Sequence, residues 1–193
     1  MKRNVRWITE TAAMLALLIC LQWIGSQIPE QMTKQLVTGS LVNAVLAVTV
    51  LTVGYSSGIT IGLISPVLAF MLKIAPNLIS VIPIMLGNVC FVVLLRLICG
   101  ENMRPIWRQP VALVSAATAK FAALYGLVVL LAGGIFYGRL AGQKVHEWVL
   151  MPPNPEKYEM LMLMFSWPQL ATALLGGTVA LLIVPVLRKA LHR

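Results

Sequence analysis

Residues 110–133 read PVALVSAATAKFAALYGLVVLLAG. The stretch exceeds the ~20 apolar residues that a helix needs to cross the hydrocarbon of a bilayer. Its one charged residue, Lys120, stands about ten residues in, roughly 15 Å deep at 1.5 Å per residue. A charge at that depth costs at least ~2.5–3.5 kcal/mol, so it turns to a cavity or a partner, or its stem carries it toward the surface.

The same pattern recurs in both directions. Apolar runs extend from about Trp7 to Ile28, Gln35 to Val53, Ile59 to Lys73, Leu78 to Ile98, and Phe165 to Leu187. Pro29, Gly54–Gly58 and Pro76–Asn77 punctuate them. Composition agrees: 59% of the 193 residues are hydrophobic and 11% charged, too few charges to clothe a soluble domain. The predicted fold is an all-α membrane protein, one domain over 1–193, built as a bundle of six transmembrane helices.

Charge collects in the gaps. The net charge is +9 and there is no Asp. Basic residues flank apolar spans, which points to membrane topology and away from nucleic acid. With six spans, one side holds Lys2, Arg3, Arg6, Arg96, Arg104, Arg108, Arg188, Lys189 and Arg193, against Lys34, Lys73, Arg139, Lys144 and Lys157 on the other. The positive-inside rule then puts both termini in the cytoplasm and a long proline-bearing loop, about 134–164, outside. The basic N-terminus resembles a signal peptide, but the apolar run after it is too long for one.

Catalytic chemistry finds no foothold. The two histidines, His146 and His192, lie outside the spans, and no HExxH, GxSxG or Walker-type loop is present. Cys20, Cys90 and Cys99 have no metal-binding spacing. No enzyme activity, cofactor or metal is expected. If the chain moves solute uphill, a partner or an ion gradient supplies the energy.

Running the fourth span inward from Leu78 puts Asn88 level with Lys120, so the two can meet across the bundle. That pair reads either as part of a pocket for an anionic or carbonyl-bearing solute, or as ordinary helix–helix hydrogen bonding. Other polar and aromatic residues gather in the halves of the spans that the charge count places outside: Gln22, Trp23, Ser26, Gln27, Gln35, Thr38, Ser40, Asn43, Tyr125, Trp167 and Gln169. They read either as an outward-facing pocket or as an aromatic belt with polar helix ends. Ala12 and Ala16 form an AxxxA pair that lets another helix approach closely, and Gly58 and Gly62 repeat the spacing.

The chain resembles the substrate-binding S components of energy-coupling factor (ECF) vitamin transporters. The resemblance runs over the whole length, in size, span number, basic C-terminus and the Ala12–Ala16 motif. It extends to Thr38, Gly39, Leu41, Asn43, Gly58, Gly62, Ser65–Pro66, Pro83 and Gly87–Asn88. It implies a subunit of an ATP-driven importer that captures a vitamin or related micronutrient at the outer face. Such a subunit joins a transmembrane T subunit and two ATPases, and topples in the membrane to release its solute. It implies that Ala12 and Ala16 face the T subunit. It also implies a pocket near the outer ends of helices four to six, placing Gln27, Tyr125, Trp167 and Gln169 near solute, with the 134–164 loop as lid. The substrate-binding set expected is Gln27, Asn43, Asn88, Lys120, Tyr125, Trp167 and Gln169. The competing readings are a self-sufficient secondary transporter or channel, in which Lys120 couples or selects ions, and a membrane scaffold with no ligand.

Overall fold

The structure, a computed structural model, describes residues 2–74, 78–100, 103, 105–136 and 162–190. Among these are six helices and no strand: α1 (Lys2–Ser26), α2 (Gln31–Thr52), α3 (Tyr55–Met71), α4 (Leu78–Cys99), α5 (Arg108–Phe136) and α6 (Trp167–Ala190). All but the ends of the expected 134–164 lid lie outside the described residues.

Five of the six helices are long and apolar enough to cross a membrane. The exception is α3, whose 17 residues reach only about 25 Å. The exterior suits lipid: Leu97, Val114, Leu175, Leu182 and Val186 are large, apolar and exposed. In water such a surface would aggregate; in hydrocarbon it is solvated.

The helices alternate in direction, so the bundle has two ends. The start of α1 and the end of α6 lie at one of them, the termini end, together with the α2–α3 and α4–α5 connections. The α1–α2 and α3–α4 connections, the end of α5 and the start of α6 lie at the other. The first end is cross-tied. Trp7 Nε1 donates to Ser56 Oγ at 3.0 Å, and the Thr11 and Ser57 hydroxyls share a hydrogen bond of 2.7 Å. Arg188 donates through Nε (3.1 Å) and a terminal nitrogen (2.6 Å) to the Leu51 carbonyl, one of the last-turn acceptors that α2 cannot satisfy itself.

The core lies between α2 and its neighbours, with Leu18, Leu46, Leu51, Ile61, Phe91 and Leu95 buried in it. The α2–α6 and α4–α5 pairs pack most closely. Contact with α2 is possible because α6 carries small residues on its inner face, Ala173, Gly176 and Ala180. A Cβ at Gly176 would run into the backbone of Ser40 and Ala44.

Candidate functional site

The site is built around one hydrogen-bond shortage. Pro66, inside α3, has no N–H, so the carbonyl four residues back, at Gly62, loses its helical donor. Asn88 of α4 supplies a replacement: its Nδ2 donates to Gly62 O at 3.3 Å. Gly62 permits the approach, since a Cβ there would already stand 3.3 Å from that of Asn88. With the amide nitrogen committed, Asn88 Oδ1 is turned inward, and Lys120 Nζ of α5 donates to it at 2.7 Å. The depth match between Asn88 and Lys120 is thus a direct contact.

A second amide completes the cradle. Lys120 Nζ also donates to Asn43 Oδ1 of α2 at 2.6 Å. Asn43 is oriented in the same way, its Nδ2 donating to Thr172 Oγ1 of α6 at 3.4 Å while that hydroxyl donates to the Gln169 carbonyl at 3.1 Å. The ammonium lies 5.7 Å from the centroid of the Phe91 ring, within cation–π range. Lys120, Asn43 and Asn88 are all essentially buried. Four helices therefore converge on one cation that no carboxylate among the described residues contacts.

Above Lys120, toward the end opposite the termini, lies a cavity of about 140 Å³. Lys120, Asn43 and Asn88 form part of its wall. The first helix contributes Gln22 and Ser26, and α2 contributes Gln31, Lys34, Gln35 and Thr38. Pro66, Ala69, Ile74, Ile84 and Met164 supply apolar surface, and Gln169 a further amide. Two polar atoms of wall residues, Gln22 Oε1 and Thr38 Oγ1, are buried with no hydrogen-bond partner among the described residues. A buried acceptor without a donor costs free energy, and a solute that supplies the donor removes the cost.

Of the residues expected to bind solute, Asn43, Asn88, Lys120 and Gln169 meet at this cavity. Gln27, Tyr125 and Trp167 lie outside its wall. Gln27 is exposed past the end of α1, its Nε2 donating to the Trp23 carbonyl and Ser26 Oγ. Tyr125 is 40% exposed and stacks on Phe121, and Trp167 is 54% exposed. All three present themselves to the bundle's outside, as belt aromatics and polar helix ends do. The wall draws on α1 and α2 more than the helix four-to-six location suggested. Gln22, Gln35 and Thr38 stood out in sequence as polar groups in apolar spans; Gln31 and Lys34 lie before the apolar run of α2 and carried no such signal.

At the mouth end, Glu30 caps α2. Its carboxylate accepts from the Met32 amide at 2.8 Å and from the Thr33 amide. The Thr33 side chain and then these two amides hold its pKa below the usual 4.5. Among the described residues no group of three His, Cys, Asp or Glu side chains is placed to hold a metal ion.

A lipid-facing helical bundle with a polar, solute-sized recess sunk between its helices defines a multi-pass membrane protein of the transport class. A family model described as "ECF transporter, substrate-specific component" matches residues 9–188, nearly the whole chain, and the protein belongs to that family. It is a substrate-specific membrane component, a transport subunit of the cell membrane, and membership implies work within an ECF complex of T subunit and ATPases. No curated protein and no solved structure matches the chain.

Proposed function

We propose that this chain captures a vitamin or a related small micronutrient from outside the cell, in the cavity above Lys120, for an ATP-driven ECF importer. The observation that carries the reading is the position of the cavity: it lies at the end of the bundle opposite both termini. The termini side holds Lys2, Arg3, Arg6, Arg96, Arg108, Arg188 and Lys189 among the described residues, and the cavity side Lys34 and Lys73. The positive-inside rule puts the richer side in the cytoplasm and the cavity outside. Amides, hydroxyls and apolar side chains in one recess suit a small amphipathic solute.

The energy comes from partners, a T subunit and two ATPases. Ala12 and Ala16 are exposed on α1, on one face with Cys20 a turn further on. A strip of small residues open to the outside accepts a second helix at close range, which fits docking to the T subunit. Reconstitution tests this reading. Proteoliposomes holding the chain with a T subunit and both ATPases accumulate solute on ATP hydrolysis. Uptake by the chain alone, without ATP, would sink it in favour of a secondary transporter.

A further inference from the structure

The polar groups of the cavity are unequal, and the inequality selects a solute. An ammonium has three N–H donors and no acceptor. Lys120 spends two of them on Asn43 and Asn88, and it borders the cavity. No carboxylate among the described residues lines that wall, while a second ammonium, Lys34, does. The carboxylate of Glu30 is held by the amides of its own helix. Among the described residues, two cations and no anion therefore face one small recess, and at low dielectric such a charge attracts a counter-ion strongly. From α1, Gln22 presents an acceptor of the opposite kind. The side chain is 9% exposed, and its Oε1 is closed off and has no donor among the described residues.

Resting on the reading of this cavity as the solute site, we infer that the solute is a compact carboxylate, about the size of a single ring, that also bears an N–H or O–H group. Its carboxylate accepts from the remaining Lys120 N–H, and its own donor meets Gln22 Oε1 once that closed-off amide turns toward the recess. No guanidinium among the described residues lines the wall, so a phosphate would find no bidentate fork there. A cationic solute would lie against two ammonium groups. A volume of about 140 Å³ accommodates a benzene-sized body.

The test uses the full-length chain purified in detergent. Mass spectrometry identifies any small molecule retained by it, and thermal stabilisation is titrated with matched acids and amides, 4-aminobenzoate against 4-aminobenzamide and 4-hydroxybenzoate against 4-hydroxybenzamide. The retained compound is expected to carry a carboxylate, and each acid to act at about 10- to 100-fold lower concentration than its amide, the range of a charge-assisted hydrogen bond. Lys120→Gln abolishes that preference; should this variant misfold, Asn88→Asp, which sets a carboxylate against the ammonium, has the same effect. Gln22→Leu weakens the aminated and hydroxylated acids more than benzoate. A neutral or cationic retained compound, stabilisation by neutral vitamins alone, or an acid preference that survives Lys120→Gln overturns the inference and leaves the importer reading standing. A chain that retains nothing and responds to no acid, amide or vitamin overturns both.

Discussion

Asn88 occupies the carbonyl that Pro66 leaves free, and that exchange aims the amide oxygen at Lys120. A proline deep in a helix costs ~3 kcal/mol against alanine in a soluble host. Here the lost backbone bond becomes a cross-helix one. Pro66→Ala returns an N–H to α3 and puts it in competition with Asn88 for Gly62 O. The thermal midpoint of the variant stays level or rises, while solute affinity falls as Asn88 loses its orientation. Calorimetry with and without the retained solute checks both halves.

Asn88→Leu removes the replacement altogether. Gly62 O and one Lys120 N–H are left without partners inside the bundle, and an unsatisfied buried group costs about 1–3 kcal/mol. Detergent-phase unfolding should show a loss of that size, together with loss of solute binding. Pro66→Ala added to Asn88→Leu recovers stability and not binding, because the restored backbone donor satisfies the carbonyl alone.

Close packing of α2 on α6 rests on Gly176. The Cβ of Gly176→Ala would meet Ala44 N at 2.8 Å, and backbone cannot swing aside as a side-chain tip can. Overpacking of this kind costs about 1–3 kcal/mol. Gly126→Ala in α5, where the added methyl meets nothing within 4 Å, is the control; it is neutral or stabilising by up to about 1 kcal/mol, as glycine gives way to a better helix former. Thermal unfolding of the two variants side by side decides whether the α2–α6 seam is as tight as described.

Glu30 gives α2 a pH-sensitive start. Its folded pKa is depressed, so the carboxylate contributes stability above its ordinary value of 4.5, and that contribution disappears as pH falls through the lowered value. Glu30→Gln therefore lowers the thermal midpoint at pH 7, and the gap to wild type closes as the medium is taken below the depressed value. A gap that persists unchanged into that acid range contradicts the capping role.

Ala16→Trp separates capture from transport. Ala16 is exposed on α1, away from the cavity wall, so solute binding to the isolated chain is unaffected. ATP-driven uptake in the reconstituted complex drops at least tenfold if this face docks on the T subunit. Equal uptake by wild type and variant removes Ala16 from the docking surface.

Much of the fold was legible because the bilayer imposes a length on each apolar run. Span order and approximate ends follow from that alone, and axial depth was enough to pair Asn88 with Lys120. Rotation about each helix axis was not legible. Lipid and core are both apolar, so side chains such as Val114 and Ala116 look alike in sequence though one faces out and the other in. Tyr125 shares a helix with Lys120 but sits five residues on, which on a 100° step turns it well round toward the exterior. Trp167 and Gln169 open the same helix and part company for the same reason. Lys34 was missed because it precedes the apolar run and counted only as a loop charge.

Among the described residues, the ties at the termini end, Trp7 to Ser56, Thr11 to Ser57 and Arg188 to Leu51, stand against a softer contact at the mouth, Gln31 Nε2 to the thioether of Met164 at 3.7 Å. The bundle is sewn at one margin and merely leaned together at the other, like a clothes-peg. Among the described residues, helices that part at the rim give up a weak sulfur contact, while the Lys120 bonds at the floor of the recess and the ties at the fulcrum stay made.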